Sequence, residues 1–357
     1  MSARFTIDGS DSLEQHLALT CTHVRAGVER LIPRDKLEGL VLAGGYGRGE
    51  GGVLRENGHD RPYNDLEFFV FVGGSTFLND RRFKAALHHL GESLSPAVGI
   101  DVEFKILSLS RLRRSPVSMF YYDLLMGHRW IIGDDTLFNG CDHHRDASRI
   151  PLHEATRLLF NRCSGLLFAS QRLAQENFTS ADADFVGRNL AKAQLALGDV
   201  VLAIAKSYHW SCLERHRRLQ VFAESDTSLA PIVHHHSAGV AFKLHPARST
   251  KTRDELAQEH ASISQLAQQI FLRLENQRLG IKCATPADYV ANSGNKCPEV
   301  PLWRNILIRL RSRGLPTGLT RYPREHLLHE LVKMLWTQRD ADPRAIRQYT
   351  ELLNCFN

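Results

Sequence analysis

Between Leu37 and Leu107 three apolar runs, LEGLVLAGG, DLEFFVFV and GIDVEFKIL, each carry a glycine pair or carboxylates. No other part of the chain limits the fold so strongly. Short runs rich in Val, Ile and Phe, bounded by Gly and polar turns, read as β-strands. Alternate side chains of a strand share a face, so Asp65 and Glu67 point the same way, as do Asp101 and Glu103. Phe68, Phe69, Val70 and Phe71 follow without polar interruption, the pattern of a strand covered on both faces. Ionised carboxylates beside apolar side chains are costly unless paired or bound to metal. Several of them on neighbouring strands point to a divalent-cation site.

The flanking sequence supplies helices. Residues 11–31 place Leu13, Leu17, Val24 and Val28 at helical spacing behind Asp11 or Ser12 as N-cap. The first strand covers 38–43, the second 65–72 and the third 99–107, with a helix over 77–94 between the last two. The glycine-dense stretch 46–52 and the polar stretch 53–63 read as connection. A short helix over 119–126 and a strand at 129–133 complete a mixed first half. From Pro151 the pattern becomes wholly helical: 151–176, 182–210, 213–223, 252–277, 302–312, 324–337 and 342–353. The polar, His-rich interval 224–250 and the segment 278–300 read as loops. The expected class is α+β, with a mixed-sheet domain over 1–148 and an all-α domain over 149–357, sub-divided near 224–250.

Composition removes several classes. The chain of 357 residues, 43% hydrophobic and 24% charged, is ordinary for a globular protein with a buried core. No apolar run approaches the roughly 20 residues that span a bilayer, and no secretory signal opens the sequence. Seven cysteines without a CxxC spacing fit reduced, mostly buried thiols and a cytoplasmic setting. The excess of 45 Lys and Arg over 39 Asp and Glu suits an anionic ligand such as a nucleotide. It is too scattered for a nucleic-acid surface, so neither membrane nor nucleic acid is an expected partner. His234, His235 and His236 read as a polar loop, since three consecutive histidines in a loop do not converge on one ion. Arg111, Arg113 and Arg114, and likewise Arg304, Arg309, Arg311 and Arg313, read as solvated charge.

Three glycine motifs compete for residues 44–52. Gly47, Gly49 and Gly52 match G-x-G-x-x-G, but no amphipathic crossover helix follows, which a dinucleotide site needs. No Gly-Lys-Ser/Thr follows for a P-loop, and neither H-R-D nor D-F-G is present for a kinase. The remaining pattern is an apolar residue and a glycine pair (Ala43-Gly44-Gly45), then Asp65-Leu66-Glu67-Phe68, then Ile100-Asp101-Val102. Over about residues 37–135 it resembles the DNA polymerase β-like nucleotidyltransferase superfamily, of the small, aminoglycoside-type kind. Gly47-Arg48-Gly49 matches the Arg-Gly that often follows the glycine pair, and Arg129–Asp134 matches a short apolar-Gly-Asp strand. The chain departs from that pattern in a 19-residue spacer between Gly45 and Asp65, a Glu at position 67 and a Gly at position 45.

The resemblance implies a chemistry. Gly44 and Gly45 would let backbone N–H groups approach a triphosphate, with Arg48 contacting a phosphate oxygen. Asp65 and Glu67 would hold Mg²⁺, and Asp101 would complete a two-ion site or take the acceptor's proton. Glu103 stands in for Asp101 if the strand register differs by two. The expected activity is transfer of a nucleoside monophosphate from an NTP to a hydroxyl of a small molecule or a protein, with pyrophosphate leaving. The alternative is a nucleotide-binding or scaffold chain that keeps the fold without turnover.

Overall fold

The computed structural model describes residues 4–311, 321–338 and 342–356. The expected helix end at 312 and Arg313 lie outside them. The chain divides into two compact units: Met1–Pro151 with Ala205–Ser225 and Val240–Ala247, and Leu152–Ile204 with Asp226–Gly239 and Arg248–Asn357. Two segments grouped with the helical half by sequence pattern therefore belong to the first unit.

The first unit is built on a four-stranded mixed sheet of order β5-β4-β1-β6, from β1 (Leu37–Leu42), β4 (Asp65–Val72), β5 (Asp101–Leu107) and β6 (Arg129–Ile132). β1 runs antiparallel to β4 and β6, whereas β4 and β5 are parallel. Helix α1 (Asp11–Leu31) starts at Ser10, whose side chain accepts from Leu13 N, and α3 (Thr76–Val98) ends on Gly99 at φ 85°. Both helices lie on one sheet face. Leu13, Leu17, Val24 and Val28 of α1 and Phe83 and Leu87 of α3 pack on Leu40, Leu42, Leu66, Phe68, Val70 and Val102. The opposite face, Val41, Ala43, Phe69 and Phe71, is covered by α4 (Leu109–Arg114), α5 (Met119–Met126) and Phe138. Two covers explain the unbroken apolar run of β4.

The spacer before β4 differs from the expected connection. After the single turn α2 (Gly44–Gly47) it forms a hairpin, β2 (Val53–Glu56) with β3 (His59–Pro62). Asn57 and Gly58, at φ 52° and 76°, form its two-residue turn, the Asn-Gly chemistry such turns favour. The Tyr46 hydroxyl closes the hairpin's base, accepting from Tyr63 N at 2.7 Å and donating to Gly52 O at 2.8 Å. The 19-residue spacer is thus folded, as turn and hairpin, and leaves β1 and β4 in register.

The remaining helices are α6 (Leu152–Leu173), α7 (Ser180–Ile204), α8 (Cys212–Ser225), α9 (Ala230–Leu244), α10 (Arg253–Leu279), α11 (Pro286–Ala291), α12 (Leu302–Arg311), α13 (Pro323–Val332) and α14 (Pro343–Phe356). The chain is thus mixed α and β, with a helical C-terminal region. Two expected loops are partly helical. α9 carries the three histidines, and α11 opens with a capping box between Thr285 and Asp288. His236 is fully buried against Asp199 at 3.2 Å, so the tract is core on this side and not a polar loop. The cysteines are free thiols, six buried and Cys355 exposed. Among the described residues no helix is long and apolar enough to cross a membrane.

Candidate metal centre

Antiparallel pairing brings the C-terminal end of β1 to the N-terminal end of β4, where Ala43 N donates to Glu67 O at 2.9 Å. Parallel pairing sets Asp65 opposite Asp101 and Glu67 opposite Glu103. The carboxylates therefore stand where the apolar cover of Phe69 and Phe71 gives way. Asp65, Glu67 and Glu103 each offer an oxygen, and these lie within 4.8 Å of one another. Asp101 is not one of the three. It is exposed and lines a cleft of about 1020 Å³ between α3 and β5, with Asp80, Arg81, Lys84, His88 and Glu103. The third carboxylate gathered with Asp65 and Glu67 is thus Glu103, and Asp101 does not join them.

A fourth group in the cluster has no counterpart in the sequence-based expectation. Lys105 Nζ lies 2.7 Å from Glu67 Oε1 and 3.7 Å from Glu103 Oε2. Its position was legible, because residues 101, 103 and 105 of one strand share a face. Burial, together with the charges of Glu67 and Glu103, raises the Asp65 carboxyl above its ordinary 3.8, even though Lys105 and a hydrogen bond from Asn64 oppose the shift. For an acid this direction means that the folded state binds the proton more readily than the unfolded chain. Ionising Asp65 therefore costs stability as pH rises through the ordinary carboxylate range. A divalent cation at the cluster would reverse that cost. Added Mg²⁺ is expected to move the Asp65 carboxyl titration downward in a ¹³C NMR experiment, and an unmoved titration would count against metal binding.

The glycine pair borders the cluster without sharing one role. Gly44 sits at φ 65°, and a Cβ there would come 3.0 Å from Glu67 Oε2. The left-handed backbone favours glycine here, and a side chain would also press on the Glu67 carboxylate. At Gly45 a Cβ would meet Glu50 O at 3.0 Å, so this glycine admits neighbouring backbone. The first N–H groups of α2 have no acceptor inside so short a helix. Arg48 does not point to the cluster. It pairs with Asp123 at 3.2 Å with only 12% of its side chain exposed, and Asp123 also accepts from the Tyr208 hydroxyl. This ion pair ties the glycine turn to α5. Arg113 is likewise a strut, donating to Leu137 O and Asn139 O.

Glu50 was also not singled out by sequence. It is 4% exposed and accepts from Ser211 Oγ and from Cys212 N at 3.0 Å, capping α8. Burial alone would raise its carboxyl, but these hydrogen bonds and the Lys243 charge hold it below its ordinary 4.5. Its contribution to stability is therefore complete above that value and is lost as pH falls through the lower folded one. Glu50→Gln is expected to cost about 1–3 kcal/mol at neutral pH and to flatten the acid limb of the stability profile. An unchanged acid limb in urea titrations would contradict the capping role.

A set of three carboxylate oxygens this close could hold a hard divalent cation. Comparison with known proteins adds no assignment: no family model matches the chain, and no curated protein matches it.

Proposed function

We propose that the chain is a metal-dependent nucleotidyltransferase that moves a nucleoside monophosphate from an NTP to a hydroxyl of a small-molecule acceptor. The observation that carries this reading is the convergence of Asp65, Glu67 and Glu103 beside the Gly44 turn, with ligand oxygens within 4.8 Å. The same glycines and carboxylates carry the sequence resemblance of residues 37–135 to DNA polymerase β-like enzymes.

In this reading Asp65 and Glu67 hold Mg²⁺, which supplies charge stabilisation at the phosphoryl oxygens. The N–H groups of Gly44 and Gly45 would donate to phosphate oxygens. Glu103 belongs to the cluster and is exposed, so it is the carboxylate open to an acceptor hydroxyl and placed to take its proton. The hydroxyl oxygen forms the new bond to the α-phosphorus, and pyrophosphate leaves with the electron pair of the bond that breaks.

One observation favours a second reading, a nucleotide-binding or scaffold chain without turnover: Lys105 already neutralises Glu67 at 2.7 Å. The two part in one experiment. The protein is incubated with α-labelled ATP, GTP, CTP and UTP, Mg²⁺ and a metabolite extract. The enzyme reading requires label in a new product with stoichiometric pyrophosphate. Nucleotide binding without either product would leave the scaffold reading.

A further inference from the structure

We propose that Lys105 is the resident cation of this cluster, so that the site takes one divalent ion where the sequence resemblance leaves room for two. The inference rests on the metal-site reading above and concerns how that site is filled. Three carboxylates and one ammonium leave two net negative charges, which a single divalent ion neutralises. A second ion would have to displace the ammonium from Glu67 and Glu103, which it contacts at 2.7 and 3.7 Å.

Lys105 is held there by more than its ion pairs. Strand register places it opposite Phe69, and its ammonium lies 5.6 Å from the centre of that ring, a cation–π contact that anchors the charge on the acid side of the sheet. Its four-carbon stem permits the ammonium to turn toward a phosphate oxygen while its backbone stays fixed in β5. Lys105 is in this account a positioning residue. It keeps Glu67 and Glu103 from repelling each other before metal arrives, and it supplies the positive charge that a second ion would otherwise bring to the triphosphate.

The test counts Mn²⁺ ions by electron paramagnetic resonance on the full-length protein without nucleotide, taking those lost on Asp65→Asn as the ions of the cluster. Wild type is expected to hold one and Lys105→Arg one. Lys105→Gln is expected to hold two, the first about tenfold tighter because a cation a few ångströms away has gone. Circular dichroism checks the fold of each variant, and Lys105→Met replaces Lys105→Gln if the latter is unstable. Two ions in wild type, or an unchanged count and affinity on losing Lys105, overturn the inference while leaving the metal site standing. If neither wild type nor Lys105→Gln loses any Mn²⁺ on Asp65→Asn, the metal-site reading itself fails, and this inference with it.

Discussion

Replacing Asp65 with Asn is expected to lower nucleotidyl transfer about a thousandfold while leaving the melting temperature unchanged or slightly raised. The two halves of that result have different causes. Asn keeps the shape but loses the charge that holds the cation, and metal stabilisation of a transferring phosphoryl group amounts to several kcal/mol, with each factor of ten in rate corresponding to about 1.4 kcal/mol. Stability is spared because ionisation of Asp65 is already disfavoured by burial and by its neighbours Glu67 and Glu103. Steady-state transfer rates and calorimetry on the same preparations check both halves. A variant that keeps more than a tenth of the rate removes Asp65 from the chemistry. A variant that melts far below wild type makes its carboxylate a structural group instead.

Phe68→Ala carries the largest expected loss of stability. The side chain is fully buried in the central strand pair and stacks on Phe104 with ring centres 5.6 Å apart. Truncating a buried Phe costs roughly 3–5 kcal/mol, the transfer term plus a cavity that close-packed neighbours fill only in part. That is a large share of the roughly 5–15 kcal/mol by which a domain is stable. Urea unfolding of the first unit should show a lower midpoint at nearly constant slope. Because Phe68 adjoins Glu67 in β4, transfer activity should fall in step with the folded fraction, and it should return when a stabilising osmolyte is added. A loss below about 1 kcal/mol would mean that β4 is not the central strand described above.

Much of this arrangement was legible in the sequence, for identifiable reasons. β1, β4 and β5 announce themselves because each is a short apolar run, and in β4 the run is unbroken where both faces are covered. The pairing of Asp65 with Glu67 on one face follows from alternation alone. Alternation does not choose the third acid, since Asp101 and Glu103 share a face and each faces a carboxylate of β4 in the register. The choice turns on how far each side chain reaches, which only the structure gives. Lys105 obeys the same alternation, but a lysine is not a metal ligand, so a pattern of ligands does not mark it.

Other features had weaker signals or none. Asn57-Gly58 marks a hairpin turn, but the strands beside it, VLRE and HDRP, are too polar to read as strands. In α9 the buried Ile232, Val240 and Leu244 lie at helical spacing, yet the three histidines between them masked the pattern. Glu50 caps a helix 161 residues away, and Arg48 meets Asp123 at a separation of 75. Nothing local in the sequence encodes such partners. The helix-capping role of Glu50 and the strut role of Arg48 arise from chain topology, and only the assembled unit reveals them.

The claim on which the rest depends is that the carboxylates at the end of β4 and β5 hold a divalent cation beside the glycine turn. Crystals grown with Mn²⁺ and a non-hydrolysable NTP, recorded at the manganese absorption edge, test it most directly. The account requires an anomalous peak at ligand distance, about 2.1 Å if it follows Mg²⁺ geometry, from oxygens of both Asp65 and Glu67, with the triphosphate against Gly44 and Gly45. Nucleotide bound elsewhere, with Lys105 still on Glu67 and no anomalous peak at the cluster, would contradict it.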